Sequence, residues 1–154
     1  MLFLIFQLGN DRYAVEVTHV IEVLPLVNVK HLPRAPAGVA GMFDYHGEPV
    51  LLIDLAELAL GTPSRKWMST RIIVVSDNRE PSVRRVLGLL AEQVTETVRR
   101  SEEDFRDAGV SVSNAPYLGP VTTHAGSIVQ RIEVQSLLSG SVRDLLLRER
   151  IGAA

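Results

Sequence analysis

The chain has 154 residues, a formal net charge of −2 and no cysteine. The absence of cysteine excludes disulfides and cysteine-based zinc sites, and it suits a reducing compartment. The near-neutral charge leaves no broad basic surface for nucleic acid or anionic lipid. The length fits one domain, or one domain made of two small lobes.

The chain opens with a predicted β-hairpin. Residues 2–8 form an apolar run, Gly9-Asn10-Asp11 is a turn signal, and residues 13–17 resume in extended form. The first run has no basic segment before it and is far shorter than the roughly 20 residues that span a bilayer. The pattern therefore predicts a strand in a soluble, cytoplasmic protein, with no insertion into the membrane.

A short helix is predicted after this hairpin. Val17, Val20, Ile21 and Leu24 recur at i, i+3, i+4 and i+7, which is the spacing of one helix face. Several of these side chains are β-branched and disfavour helix, so the prediction is limited to one or two turns. Residues 23–32 are predicted to be extended again.

A second hairpin is predicted from residues 38–43 and 50–55, which flank the turn Asp44-Tyr45-His46-Gly47. One helical turn follows over residues 56–60, with Asp54 as its candidate N-cap and Gly61 at its end. The stretch 61–66 is the predicted break between two lobes.

The second half of the chain is also predicted to consist of short strands and short helical segments, without a repeat of the sequence. A turn capped by Ser101 is predicted at residues 101–104, and a closing helix capped by Ser141 is predicted at 141–146. The predicted strands are 71–76, 84–91, 94–99, 117–123 and 126–134.

About ten short strands at intervals of roughly 8–12 residues predict an all-β fold with short helices. Two small barrels fit this pattern better than one large barrel, because of the break near residues 61–66. We treat residues 1–154 as a single domain of two intertwined lobes.

Chemical motifs are weak throughout the chain. Ser69, His124 and Asp54 could be imagined as a hydrolase triad, but no nucleophile-elbow pattern supports one. The histidines lack the spacing of metal ligands, and no cofactor is predicted. They are His19, His31, His46 and His124. A nucleic-acid-binding barrel is the other alternative, against which the acidic balance speaks.

Several motifs, in this order, resemble the CheW-like family of chemotaxis adaptors across nearly the whole chain. The family's most diagnostic block ends at Ile53-Asp54-Leu55. The other matching motifs are Phe6-Gln7-Leu8-Gly9, Tyr13-Ala14-Val15, Val20-Ile21-Glu22-Val23, Leu32-Pro33-x-x-Pro36-x-x-Val39-x-Gly41, Leu87-Gly88-Leu89-Leu90-Ala91-Glu92-x-Val94, Tyr117-Leu118 and Val134-x-x-Leu137-Leu138.

The resemblance implies two SH3-like five-stranded β-barrels and no enzymatic activity. It implies a scaffold that couples the cytoplasmic hairpin tip of a chemoreceptor, a methyl-accepting chemotaxis protein, to the regulatory domain of a chemotaxis-type histidine kinase. Such a protein is recruited from the cytoplasm to membrane-bound receptor arrays. The residues that match the family's partner contacts are Val20, Glu22, Val23, Gly41 and Val94.

Each of these residues also has a purely structural interpretation. Val20, Val23 and Val94 could be core, Glu22 could be a solvated edge residue, and Gly41 could allow close approach of a second backbone. Both interpretations are kept open at this point.

The turn departs from the family pattern Asn-Leu-Arg-Gly, because His46 stands where the family has an arginine. We add His46 to the predicted partner-binding residues, since histidine is only partly charged near neutrality and lacks the planar fork of arginine. A second departure is Leu51, which stands where the family usually has proline. The Asp-Tyr turn is similar to that of adaptors in alternative chemosensory pathways, such as surface-sensing systems that control a diguanylate cyclase.

Overall fold

The fold is described from a computed structural model, in which residues 1–77, 85–109 and 115–138 are described. The strands are β1 (Leu2–Leu8), β2 (Asp11–Glu16), β3 (Val20–Pro25), β4 (Val39–Tyr45), β5 (Glu48–Asp54), β6 (Arg71–Ser76), β7 (Val86–Arg99), β8 (Leu118–His124) and β9 (Ser127–Ile132). The helices are α1 (Leu55–Leu60) and α2 (Val134–Leu138), with single 3₁₀ turns at Val17–His19 and Glu102–Asp104.

The strands form two five-stranded sets that share β7. Sheet A has the order β7-β1-β2-β9-β8, and sheet B has the order β3-β6-β7-β5-β4. Each set contains one parallel pair, β2 with β9 in sheet A and β5 with β7 in sheet B. The predicted architecture, all-β with short helices in two SH3-like sets of five strands, is confirmed.

Among the described residues, neither set closes through a continuous ladder; side chains join the two edge strands instead. In sheet B the hydroxyl of Tyr45 at the end of β4 donates to Glu22 of β3 at 2.8 Å. In sheet A, His124 at the end of β8 lies 3.4 Å from Glu96 of β7. The barrels are therefore open, and each is held at its seam by polar contacts.

The strand β7 replaces two strands that the sequence predicted separately. Residues 86–91 pair with β6, and residues 92–99 pair with β1. Between these two halves Gln93 has a left-handed backbone with φ 45°, and the register with β1 shifts. A bulge of this kind bends a strand without ending it, which lets one strand serve both sheets.

The core has three parts, because several strands bury both faces. In β6, Ile72 and Val74 pack into a cluster inside sheet B, whereas Ile73 and Val75 pack into the main cluster between the two sheets. Alternate residues of a strand point to opposite faces, so one strand supplies both clusters. A third cluster lies on sheet A around Phe3.

The helical prediction for residues 17–24 was wrong for most of its length. Only Val17–His19 form a 3₁₀ turn, and Val20–Pro25 are the edge strand β3. A bulge between Val20 and Glu22 shifts the register with β6. The bulge changes the alternation of apolar residues along the strand, so that their spacing resembles that of a helix. The preference of β-branched residues for strands outweighs this spacing.

The predicted caps are present in the structure. Asp54 accepts hydrogen bonds from the amides of Ala56 and Glu57, and Gly61 ends α1 in the left-handed conformation with φ 78°. Ser101 and Asp104 form a capping box, whose hydrogen bonds from the Ser101 amide and hydroxyl lower the pKa of Asp104. The predicted helix at residues 141–146 lies outside the described residues.

The predicted break near residues 61–66 does not coincide with a crossing between the sheets. β5 and β6, on either side of that stretch, belong to the same sheet, and the chain passes between sheets at residues 17–19 and within β7. How the chain divides into domains stays a prediction.

The stretch 61–66 is tied into the fold by a buried carboxylate. Arg65 Nε donates to Glu92 at 2.8 Å, and its Nη2 donates to the carbonyl of Gly9 at 3.0 Å. Glu92 is only 2% exposed and lies beside the bend of β7. A buried charge is tolerated when it is paired, so Arg65 holds the β1–β2 turn and the bend of β7 together.

We predict that Arg65→Met lowers the free energy of unfolding by about 2–3 kcal/mol, because Glu92 would keep its buried charge without a partner. The matched control is Arg12→Met, which breaks the exposed pair with Glu96 and should cost less than about 1 kcal/mol. Urea titration of the three proteins measures the difference. Equal costs for the two variants would contradict a special role for Arg65.

Candidate protein-binding surface

The six residues predicted from sequence lie on three strands and one turn. Val20, Glu22 and Val23 belong to β3, Gly41 belongs to β4, and His46 forms the turn after β4. Val94 lies in the second half of β7, beyond the bend. The set is therefore spread from the seam of sheet B toward sheet A.

Glu22 and His46 are brought together at the seam of sheet B. The Nε2 atom of His46 lies 3.6 Å from Glu22 Oε2, the oxygen that also accepts from Tyr45. The rings of Tyr45 and His46 meet edge to face, with centroids 4.4 Å apart. The three side chains form a polar cluster at the exposed rim, which we call the seam cluster.

The seam cluster is held by a tight turn. His46 and Gly47 both have positive φ, 51° and 86°, as the two central residues of a type I′ hairpin require. The side chain of Asp44 accepts from the Gly47 amide at 2.7 Å. The turn therefore projects His46 toward solvent with Glu22 beside it.

The three valines differ in their surroundings. Val20 and Val94 are half-buried and pack against the main core cluster, which supports the structural interpretation for both. Val23 is 40% exposed and lies on the face of β3 opposite to Glu22. Of the three, Val23 is the one that a partner could cover without disturbing the core.

Gly41 has a clear structural role. A Cβ atom at this position would lie 2.2 Å from the carbonyl oxygen of Lys30, and the backbone has φ 142°. Lys30 and Met42 exchange two backbone hydrogen bonds here, so the segment before β4 crosses directly over Gly41. The prediction of close backbone approach is confirmed.

The sequence analysis missed an apolar strip that continues from β3. Ile21 and Val23 on the outer face of the strand, followed by Leu26 and Val27, are all more than a third exposed. The alternation of Ile21, Glu22 and Val23 was the available signal, but the helical interpretation concealed it. We call these four residues the β3 strip.

Two open depressions lie beside the segment that follows the β3 strip. One, of about 670 Å³, is bordered by Lys30, Met42 and Pro49. The other, of about 530 Å³, is bordered by Leu26, Val27 and Lys66. Neither is lined by any of the six predicted residues.

The imagined hydrolase triad is not assembled. Asp54 is buried and its oxygens accept from Ala56, Glu57 and Ser64, while His124 lies beside Glu96 and Arg100. Within residues 1–77, 85–109 and 115–138, no group of three or more His, Asp or Glu side chains is arranged to hold a metal ion. In the same part of the chain, no helix is long and apolar enough to cross a membrane.

The two open sheets and the strand that they share define an all-β domain of two five-stranded sets. A model of the family described as the CheW-like domain matches residues 2–142. The chain belongs to this family. Membership makes it a non-enzymatic scaffold of the chemotaxis type, and the prediction that it is not an enzyme is confirmed on that basis.

Individual proteins support the same assignment. The chain is 27% identical to a chemotaxis protein CheW of Helicobacter pylori over 67% of its own length and 59% of that protein. It is 24% identical to the chemotaxis protein CheW of Treponema pallidum over 87% of its own length and 79% of the relative. The match to the Helicobacter protein thus spans less than two thirds of that protein.

A solved structure shows the same fold. The scaffolding protein TtCheW from Thermoanaerobacter tengcongensis superposes with a TM-score of 0.76, covering 92% of this chain and 89% of the other, at 19% sequence identity. At that identity the likeness concerns the fold.

We predict that Gly41→Ala lowers the free energy of unfolding by about 3 kcal/mol or more, because the added methyl group meets the Lys30 carbonyl and the φ angle is strained. Gly47→Ala is the matched control, since it also has a positive φ but nothing within 4 Å, and it should cost about 1 kcal/mol. Thermal and urea unfolding measure both. A similar loss in the two variants would show that the crossing at Gly41 is not tightly packed.

Proposed function

We propose that this chain couples the cytoplasmic hairpin tip of a chemoreceptor to the regulatory domain of a chemotaxis-type histidine kinase. Family membership supports the scaffold role, and the β3 strip is the observation that carries the proposed contact. Exposed large apolar side chains in a row are costly on a free surface and typical of docking surfaces. The role places the protein in the cytoplasm, at membrane-bound receptor arrays.

In the proposed mechanism the chain acts by binding its partners in a defined geometry, and no bond is made or broken. An amphipathic helix of the receptor hairpin would lay its apolar stripe along Ile21 and Val23, in the manner of helix-in-groove recognition. Such a contact buries on the order of 800 Å² per partner. An affinity near micromolar, about −8 kcal/mol, would let arrays assemble and remodel.

The seam cluster shares strand β3 with this contact through Glu22, and we expect it to set partner choice. Glu22 is on the opposite face of β3 from Val23, and its carboxylate already takes a hydrogen bond from Tyr45. Charged groups at the rim of an interface steer and discriminate more than they add raw affinity. The histidine in place of the family's arginine would therefore alter which receptors fit, and the alternative, surface-sensing pathway stays a prediction.

We predict that Val23→Asp abolishes capture of the receptor hairpin while the domain stays folded, because it places a charge within the apolar strip at an exposed position. Val20→Asp is less informative, since Val20 packs against the core. The control is Ile128→Asp, which introduces the same charge at a 68% exposed position of β9. Pulldown and circular dichroism are measured together, and wild-type capture by Val23→Asp would remove the strip from the proposal.

We predict that His46→Arg strengthens binding to ordinary chemoreceptor hairpins several-fold, because it would put a permanent cation beside Glu22 and present a planar fork to the partner. His46→Gln is the control, since it changes the ring without adding charge. Calorimetric titration at two salt concentrations checks the effect, which should weaken as salt rises. An unchanged dissociation constant would show that residue 46 does not discriminate between receptors.

A further inference from the structure

A second exposed apolar group lies in the turn between α1 and β6. Trp67 is 43% exposed and Met68 is 94% exposed, which makes Met68 the most exposed of the large apolar side chains in the described ranges. Tryptophan and methionine are enriched at protein interfaces, and tryptophan is prominent among residues that dominate binding energy. Neither residue belongs to the surface proposed above.

The turn is held by several polar contacts although it is exposed. The guanidinium of Arg65 stacks over the Trp67 ring at 4.0 Å, and Glu92 and the Gly9 carbonyl fix that guanidinium in turn. The Trp67 amide donates to the Thr70 hydroxyl at 3.1 Å, and the Thr70 amide donates to the Trp67 carbonyl at 3.0 Å. A side chain held in place before binding loses little entropy on binding, so this turn is preorganised for contact.

The turn is continuous with the β3 strip. Pro25 at the end of β3 pairs with Arg71, and Arg71 donates a hydrogen bond to the Met68 carbonyl. Lys66 lines the same depression as Leu26 and Val27. At the end of the turn away from Lys66, the Ser69 carbonyl accepts a hydrogen bond from the Val94 amide at 3.2 Å. The turn thus bridges the β3 strip to the predicted contact at Val94.

Two cationic side chains, Lys66 and Arg71, flank the turn, although Asp54 and Glu57 line the same depression as Lys66. The charge of Arg65 is balanced by Glu92, whereas Lys66 and Arg71 have no carboxylate partner among the residues that the structure describes. An apolar stripe flanked by glutamate or aspartate would therefore fit this surface in both polarity and charge.

From these contacts we infer that the Trp67–Met68 turn is a second anchor for the receptor. The inference rests on the proposed function and extends it. The occupant is an amphipathic helix of the receptor hairpin whose apolar stripe runs from the β3 strip onto Trp67 and Met68, with an acidic side chain facing Lys66 and Arg71.

Trp67 is the sole tryptophan of the chain, so its emission reports directly on this surface. The probe is the soluble cytoplasmic hairpin of a chemoreceptor from the same genome, with its own tryptophans replaced by phenylalanine. Titration into the full chain should shift the Trp67 emission to shorter wavelength and saturate with the dissociation constant found by calorimetry, because the ring loses water on binding.

Two substitutions test the energetics. Met68→Glu should weaken binding at least roughly tenfold, because a single well-placed anchor at an interface commonly carries that much. Ile128→Glu, the same chemistry at an exposed position of sheet A, should leave the dissociation constant unchanged. Lys66→Glu should weaken binding and reduce its salt dependence, whereas Lys66→Arg should retain both.

The outcomes separate the two proposals. If calorimetry shows binding but the Trp67 emission does not shift, the second anchor is overturned and the proposed receptor contact remains. The same holds if Met68→Glu has the dissociation constant of the wild type. If Ile128→Glu weakens binding as much as Met68→Glu does, the second anchor is also overturned, because the effect would then come from surface charge alone. Absence of calorimetric binding by the wild-type chain overturns the proposed receptor contact, and the second anchor falls with it.

Discussion

One strand is hydrogen-bonded into two sheets, and the rest of the molecule depends on it. β7 pairs with β5 and β6 before its bend and with β1 after it. The bend at Gln93 needs a left-handed residue and a register shift, and next to it the buried Glu92 is held by Arg65. Weakening this point would loosen both sheets at once. The pairing also fixes the angle between the β3 strip on one sheet and the residues around Val94 on the other.

The fold was predictable where its signals are local. The hairpin over residues 39–54 has a turn sequence and apolar strands, and Asp54 and Gly61 mark the ends of α1 with their own chemistry. The error at residues 17–24 arose because a bulge shifts the phase of a strand, and apolar spacing alone does not distinguish that shift from a helical turn. The continuity of β7 across Gln93 could not be predicted either, since the partners that make it one strand are remote in sequence.

The candidate surface was predictable only in part, for the same reason. Matching motifs pointed to Glu22 and His46 separately, but their contact exists because the two edges of sheet B meet. Gly41 was expected to allow a close backbone approach, and the structure supplies the backbone that approaches it, that of Lys30. The exposed fraction of the side chain shows that Val23, rather than Val20, is available to a partner. That fraction depends on packing between residues that are distant in sequence. The Trp67 turn depends on Arg65, Glu92 and Gly9, which come from three distant parts of the chain.

The parallel pairing of β2 with β9 has a consequence for biosynthesis. It joins Arg12 to Val129, so sheet A needs strands from both ends of the chain, whereas every strand of sheet B has been synthesised once β7 is complete. Closing so long a loop is slow, since entropy must be lost before the distant contacts form. On the ribosome, the first hairpin would thus wait with β2 unpaired at one edge until the last strand arrives.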